Sequence, residues 1–480
     1  MLKNQQSSLV RNMLFNCIYK GVYLLFPILT IPYLSRVILP EGIGKVDFSI
    51  SIVNYFLIFA SLGIPQYGIR EIAKSKSDLE CLSKNFSEIY LINFFSTTVT
   101  VALYYLMIFS LPYFADKIAL FSIMGIVLIL NIFNVDWFYQ GMEQYGYIAV
   151  RSIIVKIISL TLIFVFVKRP EDYIIYAALY VFGISCNNIF NMLKLRKFII
   201  LFIHGLEIRR HIKTITILLS TQLAITLYIN LDITMLGIIS GDKAVGIFTS
   251  ASKLCKLIVL TITSVSVVLL PRISKLLTEN NRAKINITIS NMFDLLLFVS
   301  LPITIGIILL SEDIVLSFFG PDFFEAALTL RILASLIIIL SIGNLFGMQV
   351  LMAFGKEKHM LVSVIAGFFI NFILNMILIP TFSEKGAAIA SLITEIGVLC
   401  IQCYMALQYI QLRISKTDLL SLFWSNLSVI CILFIVTVFF PVGFVRLIIS
   451  ALISSVLYIL LNVMFKHSLI KAIYLKIKLS

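Results

Sequence analysis

The sequence predicts an all-α polytopic membrane protein of about fourteen transmembrane helices: two six-helix bundles related by a pseudo-twofold axis along the membrane normal, plus two C-terminal helices. Three observations carry that expectation. Of 480 residues, 60% are hydrophobic and 13% charged, with a mean hydropathy of +1.03, which leaves too few polar side chains to cover a water-exposed surface. Lys and Arg concentrate in alternate loops. The second group of six helices repeats, weakly, the loop motifs of the first.

Apolar windows of about 20 residues place helices near 12–34, 46–68, 87–109, 118–139, 148–167 and 172–193. A second group follows near 214–238, 245–270, 286–310, 326–354, 360–380 and 387–411, then 419–440 and 445–465. The first apolar run, Met13 to Leu34, is longer than the core of a signal peptide and leads into a second span without a small-residue cleavage site, so it reads as a retained helix. The expected units are an N-terminal lobe over 1–200, a C-terminal lobe over 201–414, and helices 13 and 14 with a basic tail over 415–480.

The loops test the count. One alternate set, with both termini and Arg151, holds 25 Lys and Arg; the other holds eight, Arg36, Lys45, Lys117, Lys168, Arg169, Lys243, Lys385 and Arg446. By the positive-inside rule both termini are cytoplasmic, and the net charge of +14 is mostly a topology signal. Charge scattered over many short loops does not build a nucleic-acid surface.

Internal similarity supports the two bundles. "PEGIGKVDFSISI" after helix 1 matches "DKAVGIFTSASKL" after helix 7, aligning Gly44 with Gly246. "GMEQYG" after helix 4 matches "GKEKHM" after helix 10, aligning Gly141 with Gly355 and Glu143 with Glu357. The offsets are 202 and 214 residues. Six helices is an even number, so both copies cross in the same sense, and transporters built from such repeats put their substrate site between them.

Five cations remain inside apolar spans: Lys20, Lys156, Lys253, Lys256 and Arg331. Each costs about 2.5–3.5 kcal/mol at a bilayer centre on insertion scales, so a retained one faces protein, water or ligand. Polar stripes at helical spacing accompany them: Asn12, Asn16, Lys20, Tyr23, Pro27 and Thr30; Gln222, Thr226, Asn230 and Thr234; Thr249, Lys253, Lys256 and Thr263. Helix-to-helix hydrogen bonding is the simpler of two readings of the Ser, Thr and Asn members, cargo contact being the other, but the lysines need a carboxylate or a phosphate, and no stripe contains an acid. Of Asp47, Asp136, Asp232, Asp294 and Glu395, the two best placed to neutralise a lysine or exchange a proton or sodium ion are Glu395 and Asp232.

Several chemistries are excluded. The two Gly-Lys pairs have Leu39 and Val350 where a Walker A motif requires glycine. The four histidines lie in loops or the tail, away from acids or cysteines at metal-ligand spacing, so no metal site is expected. The seven cysteines form no paired framework. No catalytic constellation and no cofactor is expected.

Helix 4 reads "NVDWFYQGMEQYGYI" and helices 1 and 2 "TIPYLSRVILPEGIGKVDFSISIVNYFLIFASLGIPQYGIREIAK". Both resemble the Wzx O-antigen flippases of the multidrug/oligosaccharidyl-lipid/polysaccharide exporter superfamily. The resemblance is strong over about 10–160, moderate through "GIFTSASKL", and beyond 280 rests on helix count and loop lengths. It implies a V-shaped pair of bundles in the bacterial inner membrane, carrying an undecaprenyl-diphosphate-linked oligosaccharide to the periplasmic leaflet by alternating access. Membrane lipid, the polymerase and the chain-length regulator of the pathway are the implied partners. The matched motif positions are Arg36, Pro40, Glu41, Gly42, Gly44, Gly63, Pro65, Gly68, Arg70, Glu71, Asp136, Trp137, Gln140, Gly141 and Glu143, serving mainly helix ends and turns. Tyr139 departs from a more usual phenylalanine.

The residue reading converges on the same chemistry. A diphosphate in transit needs mobile cations, which lysine supplies as a point charge, and the sugar needs amide, hydroxyl and aromatic contacts. Lys20, Lys253 and Lys256 are expected to hold the diphosphate, with Arg331 and Lys156 behind them, and Asn16, Tyr23, Gln222, Thr226, Asn230 and Thr249 to face the sugar. The alternatives are a small-molecule exporter of the same superfamily, whose cationic cargo would call for carboxylates in the spans, and an oligosaccharide polymerase. The longest exported loop, "SEDIVLSFFGPDFFE", lacks the basic residues a polymerase would use.

Overall fold

The computed structural model describes residues 2–471 apart from 197 and 203, with side chains from Phe26 onward. Among these residues all regular structure is helical: α1 (Leu2–Ser61), α2 (Ile64–Ser75), α3 (Leu79–Ser110), α4 (Ile118–Leu130), α5 (Asp136–Gly141), α6 (Tyr145–Phe166), α7 (Tyr173–Leu195), α8 (Arg209–Ile239), α9 (Asp242–Thr263), α10 (Leu269–Thr278), α11 (Arg282–Leu309), α12 (Ser311–Phe318), α13 (Ala326–Ala334), α14 (Leu336–Asn344), α15 (Glu357–Ala406), α16 (Lys416–Phe439) and α17 (Phe444–Met464).

Among the described residues, twelve helical segments are long and apolar enough to cross a membrane. Two of them, Phe26–Ser75 and Glu357–Ala406, run 50 residues. A straight helix of that length would measure about 75 Å, more than twice a ~30 Å hydrocarbon core. Both are broken inside: Leu39 has φ 59° and ψ 173°, and Ser383 has φ 51° and ψ −127°. Each therefore holds two crossings, and fourteen stands as an approximate count.

The chain forms two compact units, Met1–Thr234 and Met235–Ser480, dividing inside α8. Within the second unit α16 packs on α17 and α11, and α17 also on α12, so the C-terminal pair is part of that unit.

The spans invert the soluble pattern. In α3 the buried side includes Ser83, Ser87, Asn93, Thr97 and Thr100, while Phe95 and Leu106 are exposed. Apolar residues meet lipid, and small polar ones join helices. Ser96 and Thr97 donate to the Ala60 carbonyl at 2.8 and 3.3 Å, and Asn131 donates to Thr97 at 3.1 Å. Helix starts follow local chemistry: the Asp78 carboxylate accepts from the N–H groups of Glu80 and Cys81, capping α3.

One turn recurs at the interval of the sequence repeat. Leu39 and Gly241, 202 positions apart, share a positive φ with ψ near 180°: 59° and 173° at Leu39, 84° and −178° at Gly241. Each immediately precedes a helix whose fifth residue is the aligned glycine, Gly44 or Gly246. A short amphipathic helix then follows in both units, α2 in one and α10 in the other.

Two expectations differ in detail. The stretch 311–325, read as a loop, contains α12 and a 3₁₀ turn at Pro321–Phe323. The single helix expected over 326–354 is α13, α14 and a π-helical segment, Leu345–Leu351. Hydropathy windows report apolar length and are blind to such breaks.

Candidate functional site

The first unit contains a cavity of about 420 Å³ lined by Asn54, Leu57, Ile58, Ser61, Gly63, Pro65, Gln66, Gln222, Thr226 and Asn230. Its walls follow from two local features. Leu62 (φ 50°) and Gly63 (φ 76°) are left-handed and end α1, and Pro65 then opens α2 at a position where its missing N–H costs nothing. Gly63 is required twice over, since a Cβ there would lie 2.8 Å from Cβ of Leu218 on α8. On α8, Gln222, Thr226 and Asn230 recur every four residues and so share one face.

The lining is polar without charge. It offers four carboxamides and two hydroxyls, with no ionisable side chain among the described lining residues. Asn54 Nδ2 donates to Asn230 Oδ1 at 3.3 Å, and Asn230 Nδ2 donates to the Thr226 carbonyl at 3.0 Å. Thr234 Oγ1, two turns from Thr226, meets Tyr55 Oη at 3.0 Å and Ser51 Oγ at 3.2 Å. Asn54 and Asn230 are thus held in place. Gln66 and Gln222 make no side-chain hydrogen bond to described residues, so the cavity lining carries their amide donors and acceptors.

The other expected contacts are dispersed. Asn16, Lys20 and Tyr23 lie outside the residues whose side chains are described. On α9, Thr249 is buried, Lys253 half-buried and Lys256 exposed. Lys156 on α6 is half-buried, with Nζ 5.6 Å from the Phe26 ring centroid. Asp232 and Glu395 are half-buried; like Lys156, Lys253 and Lys256, neither is without a partner. Arg331 on α13 donates to Glu312 at 3.2 Å and Ser311 at 3.1 Å on α12, so its charge is paired between those two helices.

The motif residues build turns and helix contacts. Asp136 accepts from Arg151 at 2.9 Å and from Asn191, and Arg151 also donates to Asn191, tying α5, α6 and α7 together. Trp137 is buried, stacks on Phe86 with centroids 5.2 Å apart and donates to the Asn134 carbonyl at 3.1 Å. Gly141 lies against α2, where a Cβ would sit 2.7 Å from Cβ of Ile72. The Gln140 carbonyl accepts from the N–H of Glu143 at 2.9 Å, and Glu143, at φ 58°, pairs with Lys76 at 3.0 Å. Tyr139 uses the hydroxyl that a phenylalanine would lack, donating to the Asn191 carbonyl at 2.7 Å. Arg70 is exposed beside Glu71 at 3.4 Å, Arg36 is exposed and Gly44 buried.

Three buried charged clusters escaped sequence reasoning. In the first unit Glu88, fully buried, receives His211 Nε2 at 2.6 Å, Arg210, and the N–H of Glu207 at 2.7 Å. In the second, Arg446 grips Asp313 bidentately at 2.7 and 2.6 Å, and buried His467 lies 3.6 Å from Asp294 and 4.0 Å from Asp418. Glu88 falls inside the expected span 87–109, and an acid there was the available signal. The partners, 123 and 133 residues away for Glu88 and Asp313, leave no local pattern.

Comparison with known proteins agrees with this architecture. A family model described as "Polysaccharide biosynthesis protein" matches residues 9–277, and the MatE model matches 218–377. The chain is 25% identical over 403 residues to the "Putative O-antigen transporter" of Escherichia coli (strain K12), covering 82% of this chain and 95% of that protein. Among solved structures, "Lipid II flippase MurJ, inward closed conformation" aligns with a TM-score of 0.66 at 18% identity, over 93% of this chain and 99% of the other. An inward-facing multidrug resistance MATE family transporter of the MOP superfamily aligns with a TM-score of 0.62 at 14% identity, over 80% and 93%. At those identities the structural likeness speaks for the fold.

Proposed function

Because this chain belongs to the polysaccharide biosynthesis protein family, we propose that it is a flippase for a lipid-linked oligosaccharide. The cargo in this reading is an undecaprenyl-diphosphate-linked O-antigen or capsule repeat unit, moved from the cytoplasmic to the periplasmic leaflet of a bacterial inner membrane by alternating access. A sugar chain cannot shed its hydration in hydrocarbon unless its hydroxyls and amides find replacement partners.

The observation that carries the reading is the uncharged, carboxamide-rich lining around Gln66, Gln222 and Asn230. Such a lining suits a neutral polar cargo; a cationic one would call for carboxylates. The diphosphate falls to cations elsewhere, with Lys20, Lys253 and Lys256 first and Arg331 and Lys156 behind them. Asp232 and Glu395 are the carboxylates for coupling to a proton or sodium gradient. Both termini are cytoplasmic in this reading, and the pathway's polymerase and chain-length regulator are the expected protein partners.

The test is complementation of a strain lacking its O-unit translocase, read as surface polysaccharide. Restoration in at least one repeat-unit background supports the reading. Failure across several backgrounds, with the protein present in the membrane, would point to a small-molecule exporter.

A further inference from the structure

The cavity helix α8 begins in a buried charged cluster that plays no part in the site described above. Tyr67 on α2, Glu88 on α3 and His211 on α8 are all buried, and they form a chain: Tyr67 Oη to His211 Nδ1 at 2.5 Å, His211 Nε2 to Glu88 Oε2 at 2.6 Å. Arg210 reaches the same Oε2 and donates to Asn85 Oδ1 at 2.5 Å.

The contacts of Glu88 fix one hydrogen position. Glu88 accepts from Glu207 N–H at Oε1 and from Arg210 at Oε2, as a carboxylate does. A ring nitrogen 2.6 Å from a carboxylate oxygen needs a hydrogen between them, so Nε2 carries it. Nδ1 accepts the Tyr67 hydroxyl when the ring is neutral and donates to its oxygen when the ring is an imidazolium. The same buried chain accommodates both forms of His211, and Nδ1 is the atom at which they differ.

We propose that His211 is a proton-binding site, and that the proton decides which cation holds Glu88. One proton added at Nδ1 turns Tyr67 Oη from donor to acceptor and makes the imidazole a cation. Arg210 Nε lies only 3.3 Å from Nε2, so two like charges then compete for one oxygen. Arg210 yields, because its side chain is 44% exposed while that of His211 is 2% exposed. The surrounding charges do not replace it: Arg70 and Glu71 offset each other beside Tyr67, and Lys84 is engaged with the Glu207 carboxylate at 3.3 Å.

Losing Arg210 removes one of the bonds that fasten the 204–210 segment and the first turn of α8 to α3. Since α8 also carries Gln222, Thr226 and Asn230, a proton at its head acts on the cavity wall. Only this last consequence, proton control of translocation, rests on the flippase reading.

The test uses amide hydrogen exchange of 204–218 in the full chain in lipid nanodiscs, corrected for intrinsic rates, from pH 8 to 5. Among unperturbed side chains, histidine alone changes charge in that range. A one-unit preference of the proton for the released form gives about tenfold faster exchange at the acid end, in one step. His211→Gln, whose carboxamide accepts from Tyr67 and donates to Glu88 but takes no proton, removes the step. If that variant does not fold, ¹⁵N-histidine spectra of the unaltered chain decide: Nε2–H alone at pH 8, both nitrogens protonated at pH 5. No substrate is present, so the outcome is independent of the transport reading. A wild type without the step, a His211→Gln chain that keeps it, or an imidazole unchanged across the range overturns the proposal.

Discussion

Gly68 lies against the face of Trp137 so closely that a Cβ on it would stand 2.4 Å from the indole Cε3. No other residue type fits between α2 and α5 without moving one of them. Gly68→Ala is expected to cost about 1–3 kcal/mol by overpacking, read as a lower melting temperature in detergent. Adding Trp137→Phe should restore part of the loss, a coupling that separates this contact from a general helix effect. Full additivity would show that the contact is not the cause.

Arg446 and Asp313 form a bidentate pair with side chains 8% and 0% exposed, and Asp313 also accepts from the N–H of Gly443 at 2.9 Å. Removing one partner strands the other, so Asp313→Asn is expected to cost about 3–5 kcal/mol. Replacing both with apolar residues of similar volume should cost much less. Equal losses in the single and double variants would contradict this.

Leu39 and Gly241 occupy the same sparsely populated backbone region, which costs a non-glycine residue about 1–3 kcal/mol. Leu39→Gly should therefore be more stable than Leu39→Ala, although glycine removes one carbon more. Gly241→Ala should be destabilised by a similar amount, because no atom lies within 4 Å of the added Cβ to supply a clash. Melting temperatures of the three variants test the pair, and equal stability of Leu39→Gly and Leu39→Ala would remove the backbone explanation.

Gln66 and Gln222 carry amide donors and acceptors in the cavity lining. A hydrogen bond contributes about 0.5–1.5 kcal/mol net, so Gln222→Ala should slow translocation roughly 2- to 12-fold with membrane abundance unchanged. Gln66→Ala should do the same, and Leu57→Val should have little effect. Unchanged initial rates of oligosaccharide flipping in both glutamine variants would take the cavity out of the transport path.

Much of this was legible in the sequence because the bilayer imposes long apolar runs and a charge bias between loops. Spacing alone puts Gln222, Thr226 and Asn230 on one helix face, and that face lines the cavity. The opposite wall, Asn54 and Gln66, was not found: it needs the turn at Leu62 and Gly63, and the expected helix over 46–68 ran straight through it despite the Gly-Ile-Pro sequence. Glu88 with His211, and Asp313 with Arg446, are contacts between residues more than a hundred positions apart. Packing makes such pairs, and periodicity cannot reveal them. Arg331 reads as a cation inside a span, while Glu312, which pairs with it at 3.2 Å, lies in a stretch read as loop.

The most direct measurement is transbilayer movement in vesicles reconstituted with the pure chain and a labelled undecaprenyl-diphosphate oligosaccharide, read by lectin access from outside. Loading the lipid in the inner leaflet alone, the predicted result is lectin-accessible sugar appearing at a rate proportional to protein and reduced by Gln222→Ala. A rate equal to that of protein-free vesicles, with the chain folded and several repeat units tried, would contradict flippase activity.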